Sequence, residues 1–170
     1  MAMKWYVVHK DSPAFDFAPA DALVKFANAN DLVVRGHTLL WHYPRWMPEW
    51  LNTYDYGANP RATVERLVVD YIDRMCARYP QIRSWDVVNE TIDDKTGELR
   101  ETVFSKHYGQ EILDVAFQAA RKAAPKAQLV YNDYMNWEPA SASHRAAVLK
   151  LLEGFRKKAW QLSSLPAAAR

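Results

Sequence analysis

The sequence predicts an α/β fold with a parallel sheet. Two observations carry this. Segments of helical period alternate with short runs rich in β-branched and aromatic residues, joined by brief Asn- or Pro-marked breaks. That alternation is the pattern of repeated βα units. Polar residues also gather at the C-terminal end of each apolar run, where parallel α/β sheets place their chemistry.

Taken in order, residues 19–30 form the first predicted helix, with Pro19 in the first turn and Leu23, Phe26 and Ala27 on one side. A second covers 60–79. Asn59-Pro60 supplies a cap and first-turn pair, and Val64, Leu67, Val68, Tyr71, Ile72, Met75, Cys76 and Tyr79 make an unbroken apolar stripe ended by Pro80. A third covers 108–124, carrying Ile112, Val115, Ala116, Ala119 and Ala123 and stopping at Pro125. A fourth covers 143–158, capped by Ser141 or Ser143. Between them lie the predicted strands 32–41, 82–89 and 128–132, expected to pair as parallel neighbours in that order. Residues 159–170 change character, with neither the short turn nor the apolar strand the alternation calls for.

Composition narrows the function classes. The chain has 170 residues, a net charge of +2 and charges mixed along its length. There is no basic block to track phosphates, and the longest apolar runs are too short to cross a bilayer. Nucleic acid and membrane are therefore not expected as partners. Seven Trp and nine Tyr suit both core packing and stacking against sugar rings. The single Cys76 offers no internal disulfide or metal cluster and reads as a small core residue. No metal or cofactor is expected.

The second strand ends Trp85-Asp86-Val87-Val88-Asn89-Glu90. A carboxyl group at a strand end can protonate a leaving glycosidic oxygen, and an adjacent Asn can bond a sugar hydroxyl. A bare Asn-Glu would equally serve as a local cap. Asn89-Glu90-Thr91 also fits the N-glycosylation pattern, but a strand-end cleft is a poor place for a glycan. In the first strand, His37 and Trp41 share a face while His42 points the other way. The two histidines do not converge on a metal. Alone, His37 would be a hydrogen-bonded core histidine.

RGHTLLWH, then WDVVNE about fifty residues on, then YNDYM, together resemble glycoside hydrolase family 10, the endo-1,4-β-xylanases. The opening MAMKW resembles the end of that family's ENAMKW motif. The match runs from about Ala2 to Lys158, and the GHTLxWH string is particular to the family. The resemblance implies a partial (β/α)8 TIM barrel with about three parallel strands and four helices. Residues 1–158 would be its central part and 159–170 a divergent tail. It implies that Glu90 is the general acid/base of a retaining hydrolysis of xylan or xylo-oligosaccharides. Asn89 would hold the sugar 2-hydroxyl, and His37 and Lys4 would bond that sugar and its non-reducing neighbour. Trp41 would help wall the subsite, Asn132 would support it, and Tyr134 would stack beyond the scissile bond. A cis peptide at His37-Thr38 and an extracellular or periplasmic location follow from the same resemblance.

The departures are specific. Met1 stands where the family has Asn, Pro44 where many members carry Gln, and Met135 where many have Asn. Nothing resembles the nucleophile motif Thr-Glu-Leu-Asp, and the sixth strand is absent. A truncated or frame-shifted reading would produce that ending. Two readings follow: a xylanase represented by the middle of its barrel, lacking the nucleophile strand, or a non-catalytic remnant with weak xylan binding.

Overall fold

The computed structural model describes residues 2–134 and 137–157. Met135 and the tail expected at 159–170 lie outside the described residues. Three parallel strands form one sheet in the order β1 (Gly36–Trp41), β2 (Ser84–Asn89), β3 (Gln128–Asn132). This is the expected order and sense. Around it lie α1 (Trp5–Val8), α2 (Ala18–Ala29), α3 (Pro60–Arg78), α4 (Val103–Tyr108), α5 (Ile112–Ala123) and α6 (Ala142–Lys157). Together they make a partial (β/α)8 barrel. Among the described residues no helix is long and apolar enough to cross a membrane.

The strongest local signals gave the expected elements. Asn59 caps α3 by accepting from the Ala62 amide at 3.1 Å, and Pro60 opens the helix. Val64, Val68, Tyr71, Ile72, Met75 and Cys76 are buried along it, burial that pushes the Cys76 thiol up to about 12. The helix packs mainly on α5, then on α4 and β1.

Three expectations need correction. The helix expected over 108–124 starts only at Ile112, and a separate helix that was not expected, α4, precedes it. Thr102 and Ser105 form a reciprocal capping box that starts α4. Gly109, at φ +89°, ends it in a backbone conformation other residues rarely adopt. The first strand starts at Gly36 rather than residue 32. The amide of Leu32 is used to close α2, donating to Ala27 O at 2.9 Å, and Leu32 and Val33 stay exposed. The second strand starts at Ser84 rather than residue 82, because the Ile82 amide closes a turn onto Tyr79 O.

Helix α1 was not foreseen either. Trp5, in α1, stacks on Tyr71 at 4.4 Å and donates its indole N–H to Leu39 O at 2.8 Å. This buried anchor fixes Lys4, one residue upstream, over the C-terminal end of β1.

Candidate active site

The C-terminal ends of the three strands carry the polar cluster. At β1, the His37-Thr38 peptide is cis, and pairing with β2 shifts register between His37 and Leu40. His37 and Trp41 lie on one face, ring centroids 6.3 Å apart. His42 is turned away and buried, its Nε2 2.9 Å from Arg100 O. Burial holds its imidazole down at about 4, against the pull of that hydrogen bond.

At β2, Glu90 has φ +52°, a left-handed conformation that costs a non-glycine residue about 1 kcal/mol or more. Its amide donates to Asn132 O at 3.0 Å, and its carbonyl accepts from Arg100 Nε at 3.2 Å. Its carboxylate accepts from the Trp41 indole at 3.0 Å. The ammonium of Lys4 sits 3.7 Å from the centroid of the same Trp41 ring. Burial lowers the Lys4 pKa, and the Glu90 charge partly restores it.

Asn89 is fully buried. Its side-chain oxygen accepts from Asn132 Nδ2 at 2.8 Å, while its own amide nitrogen meets no acceptor among the described residues. Asn132 thus orients Asn89 from the neighbouring strand. Tyr134 follows β3, half-exposed, its hydroxyl accepting from Arg100 at 2.8 Å.

The expected residues Lys4, Trp41, Asn89, Glu90 and Asn132 therefore meet at the C-terminal end of the sheet, with Tyr134 at its margin, while His37, expected there too, is the second residue of β1, pairs with Asp86 and joins the group through the Trp41 ring. Four further residues were given no role from the sequence. Asp86 accepts from both Arg35 and His37, the latter at 2.9 Å. Burial pushes its carboxyl up, but these hydrogen bonds and charges outweigh that and hold it below the usual range. Asp86 and Arg35 lie inside the quoted motifs, yet nothing in one sequence pairs them. Arg100 carried no signal, because it sits in a loop. Trp46, stacked on Trp41 at 5.2 Å, extends the aromatic wall.

A cleft of about 540 Å³ lies at the other end of the sheet among Cys76, Ile82, Trp85 and Ala127. It shares no residue with the polar cluster.

A partial parallel barrel with a carboxylate, a buried amide and aromatic walls at its strand ends is the framework of a barrel glycosidase. The chain belongs to Glycosyl hydrolase family 10, whose sequence profile matches residues 1–165. It is 40% identical over 134 residues to endo-1,4-beta-xylanase 3 of Hypocrea jecorina, covering 78% of this chain and 37% of that protein. It is 37% identical to endo-1,4-beta-xylanase A of Caldicellulosiruptor saccharolyticus, covering 89% of this chain and 44% of that one. Among solved structures, xylanase 10B from Thermotoga petrophila in complex with xylobiose superposes with a TM-score of 0.81 at 29% identity, over 96% of this chain and 48% of that one. The chain thus spans less than half the length of these proteins.

Proposed function

We propose that this chain supplies the acid/base side of a retaining endo-1,4-β-xylanase site, acting on β-1,4-xylan or xylo-oligosaccharides. The observation that carries the reading is the setting of Glu90: a strand-end carboxylate hydrogen-bonded by Trp41, beside Lys4. Family membership supports it, and a structural neighbour is described in complex with xylobiose.

In this reading Glu90 protonates the leaving glycosidic oxygen and later takes a proton from the attacking water. Asn89 uses its unmatched amide N–H to bond the sugar 2-hydroxyl, a contact that strengthens in the transition state. Lys4 and His37 bind on the non-reducing side. Trp41 walls the subsite, Asn132 holds Asn89, and Tyr134 stacks beyond the scissile bond. Retention requires a second carboxylate about 5–5.5 Å from the first. That nucleophile belongs to barrel strands beyond residues 1–158, which form the central part of the domain.

The test joins this chain to the remaining barrel strands in one longer polypeptide and measures reducing-sugar release from xylan. Hydrolysis abolished by Glu90→Gln is expected. Hydrolysis indifferent to that change, or none on xylan beside cleavage of another β-glycan, overturns the reading.

A further inference from the structure

Arg100 joins all three strand ends. Its guanidinium is buried, with the side chain 6% exposed. Nε donates to the Glu90 carbonyl at 3.2 Å, one terminal nitrogen to Asp93 at 2.9 Å, and the other to the Tyr134 hydroxyl at 2.8 Å. Asp94 lies 3.5 Å from that second nitrogen. The guanidinium plane lies over the Tyr43 ring at 4.0 Å, and the Arg100 carbonyl accepts from His42. Tyr43 and His42 follow β1, Glu90 follows β2 and Tyr134 follows β3.

The loop is built to deliver this side chain. After Glu90 the chain runs out and folds back through Gly97, at φ +71°. Asp93 N donates to Glu98 O, and Ile92 bridges Leu99. The Arg100 amide then closes onto Thr91 O at 2.8 Å. Asp93 is itself pinned by the amides of Lys95 and Thr96, which hold its carboxyl below the usual range. The arginine is thus met by a fixed anion, and its planar fork reaches partners that a point charge could not satisfy together.

We infer that Arg100 is a positioning residue: it locks the left-handed backbone of Glu90 and the ring of Tyr134 into one register, so that proton donor and leaving-side aromatic move as a unit. This rests on the reading of Glu90 as the acid. Glu90 is held by Asn132 on its N–H side and Arg100 on its carbonyl side. Without Arg100 one of these two restraints on a strained residue is lost, and the carboxylate drifts from Trp41.

The Trp41 indole N–H reports that drift directly, because it donates to Glu90 Oε2. In ¹⁵N–¹H spectra of this chain, Glu90→Gln assigns the signal. Arg100→Gln is expected to move it toward its Glu90→Gln position. Arg100→Lys should restore it only in part, since an ammonium keeps the charge but not the fork. Tyr134→Phe removes only one of Arg100's acceptors, keeps the test open if Arg100 variants fail to fold, and should give a smaller shift in the same direction. Folded Arg100→Gln with an unmoved Trp41 signal overturns the inference. Where Arg100 variants do not fold, an unmoved signal in Tyr134→Phe does so. A parallel titration with xylotetraose should show roughly tenfold weaker binding in Arg100→Gln, about 1.4 kcal/mol. If the unaltered chain binds no xylotetraose, the proposed function is undermined, while the indole signal still decides the role of Arg100.

Discussion

Trp41 and Glu90 are 49 residues apart in sequence and joined by one hydrogen bond, indole N–H to carboxylate oxygen at 3.0 Å. The bond crosses from the end of β1 to the end of β2. Trp41→Phe keeps the ring face beneath Lys4 and deletes the donor. Hydrogen bonds to charged groups contribute about 1.5–3 kcal/mol when buried, less where water can replace the donor. Glu90 is half-buried, so we expect about 1 kcal/mol of lost stability in urea denaturation. An unchanged midpoint and slope would show that the bond contributes nothing to the fold.

Lys4 answers to the same carboxylate. Burial lowers its pKa and the Glu90 charge raises it. Glu90→Gln removes the raising influence alone, so Lys4 should titrate at lower pH than in the unaltered chain. NMR of the lysine side-chain carbons, assigned with Lys4→Arg, measures this. A rise, or no change, would mean that the two groups do not share a field.

Asp86 sets an acid limit. Its folded pKa lies below the ordinary carboxyl value because the lowering by His37 and Arg35 exceeds the raising by burial. The stability it contributes is therefore complete above the unfolded carboxyl pKa, near 4. It is lost as pH falls through the lower folded value. Asp86→Asn should cost about 1–3 kcal/mol at pH 7 and less at pH 2.5. Denaturation at the two pH values decides it; an equal loss at both would point to packing rather than charge.

Gly36 exists for Trp85. A Cβ at residue 36 would overlap the Trp85 ring, which is fully buried. Overpacking typically costs about 1–3 kcal/mol, and contact with a whole indole belongs at the upper end. Gly36→Ala should lower the melting temperature by roughly ten degrees or leave the chain insoluble. A melting temperature within two degrees of the parent would show that the sheet can open there.

Much of this molecule is legible in its sequence, and the reason differs by element. The α3 stripe and its Asn59-Pro60 start are local signals, and they gave the helix to within a residue. Strand β3 was equally clear, bounded by Pro125 and the polar Asn132-Asp133. The start of β1 was not, because Leu32 and Val33 have strand propensity but no partner. Pairing begins only where β2 arrives, at Gly36↔Trp85. Helix α4 was missed and α5 begun too early because the Thr102 cap and the Gly109 stop are invisible to apolar periodicity. At the site, residues inside the quoted motifs came together. Arg100 escaped because its importance lies in partners at three strand ends, His42 and Tyr43, Glu90, and Tyr134, none of them near enough in sequence to form a pattern.

The last prediction is that this chain alone does not hydrolyse xylan at an enzyme-like rate. Glu90 can donate a proton, yet the proposed mechanism also needs a carboxylate on the opposite face of the sugar. The nearby aspartates are already engaged. Asp86 holds Arg35 and His37, and Asp93 holds Arg100 and two backbone amides. Asp133 accepts from the Tyr131 hydroxyl at 2.6 Å and the Tyr134 amide at 2.8 Å. His144 lies 3.3 Å from Asp133, within ion-pair distance but not aligned for a hydrogen bond. To act on the sugar, any of them would have to give up these partners. General acid catalysis alone typically supplies about 10²–10⁴-fold, and without a nucleophile the easier two-step route is closed. The measurement is reducing-sugar release from xylan by this chain, beside Glu90→Gln and the longer polypeptide. Activity in the longer polypeptide only is the expected result. Robust turnover by the short chain that disappears in Glu90→Gln would refute it, and would mean that one of these aspartates leaves its partners to attack the sugar.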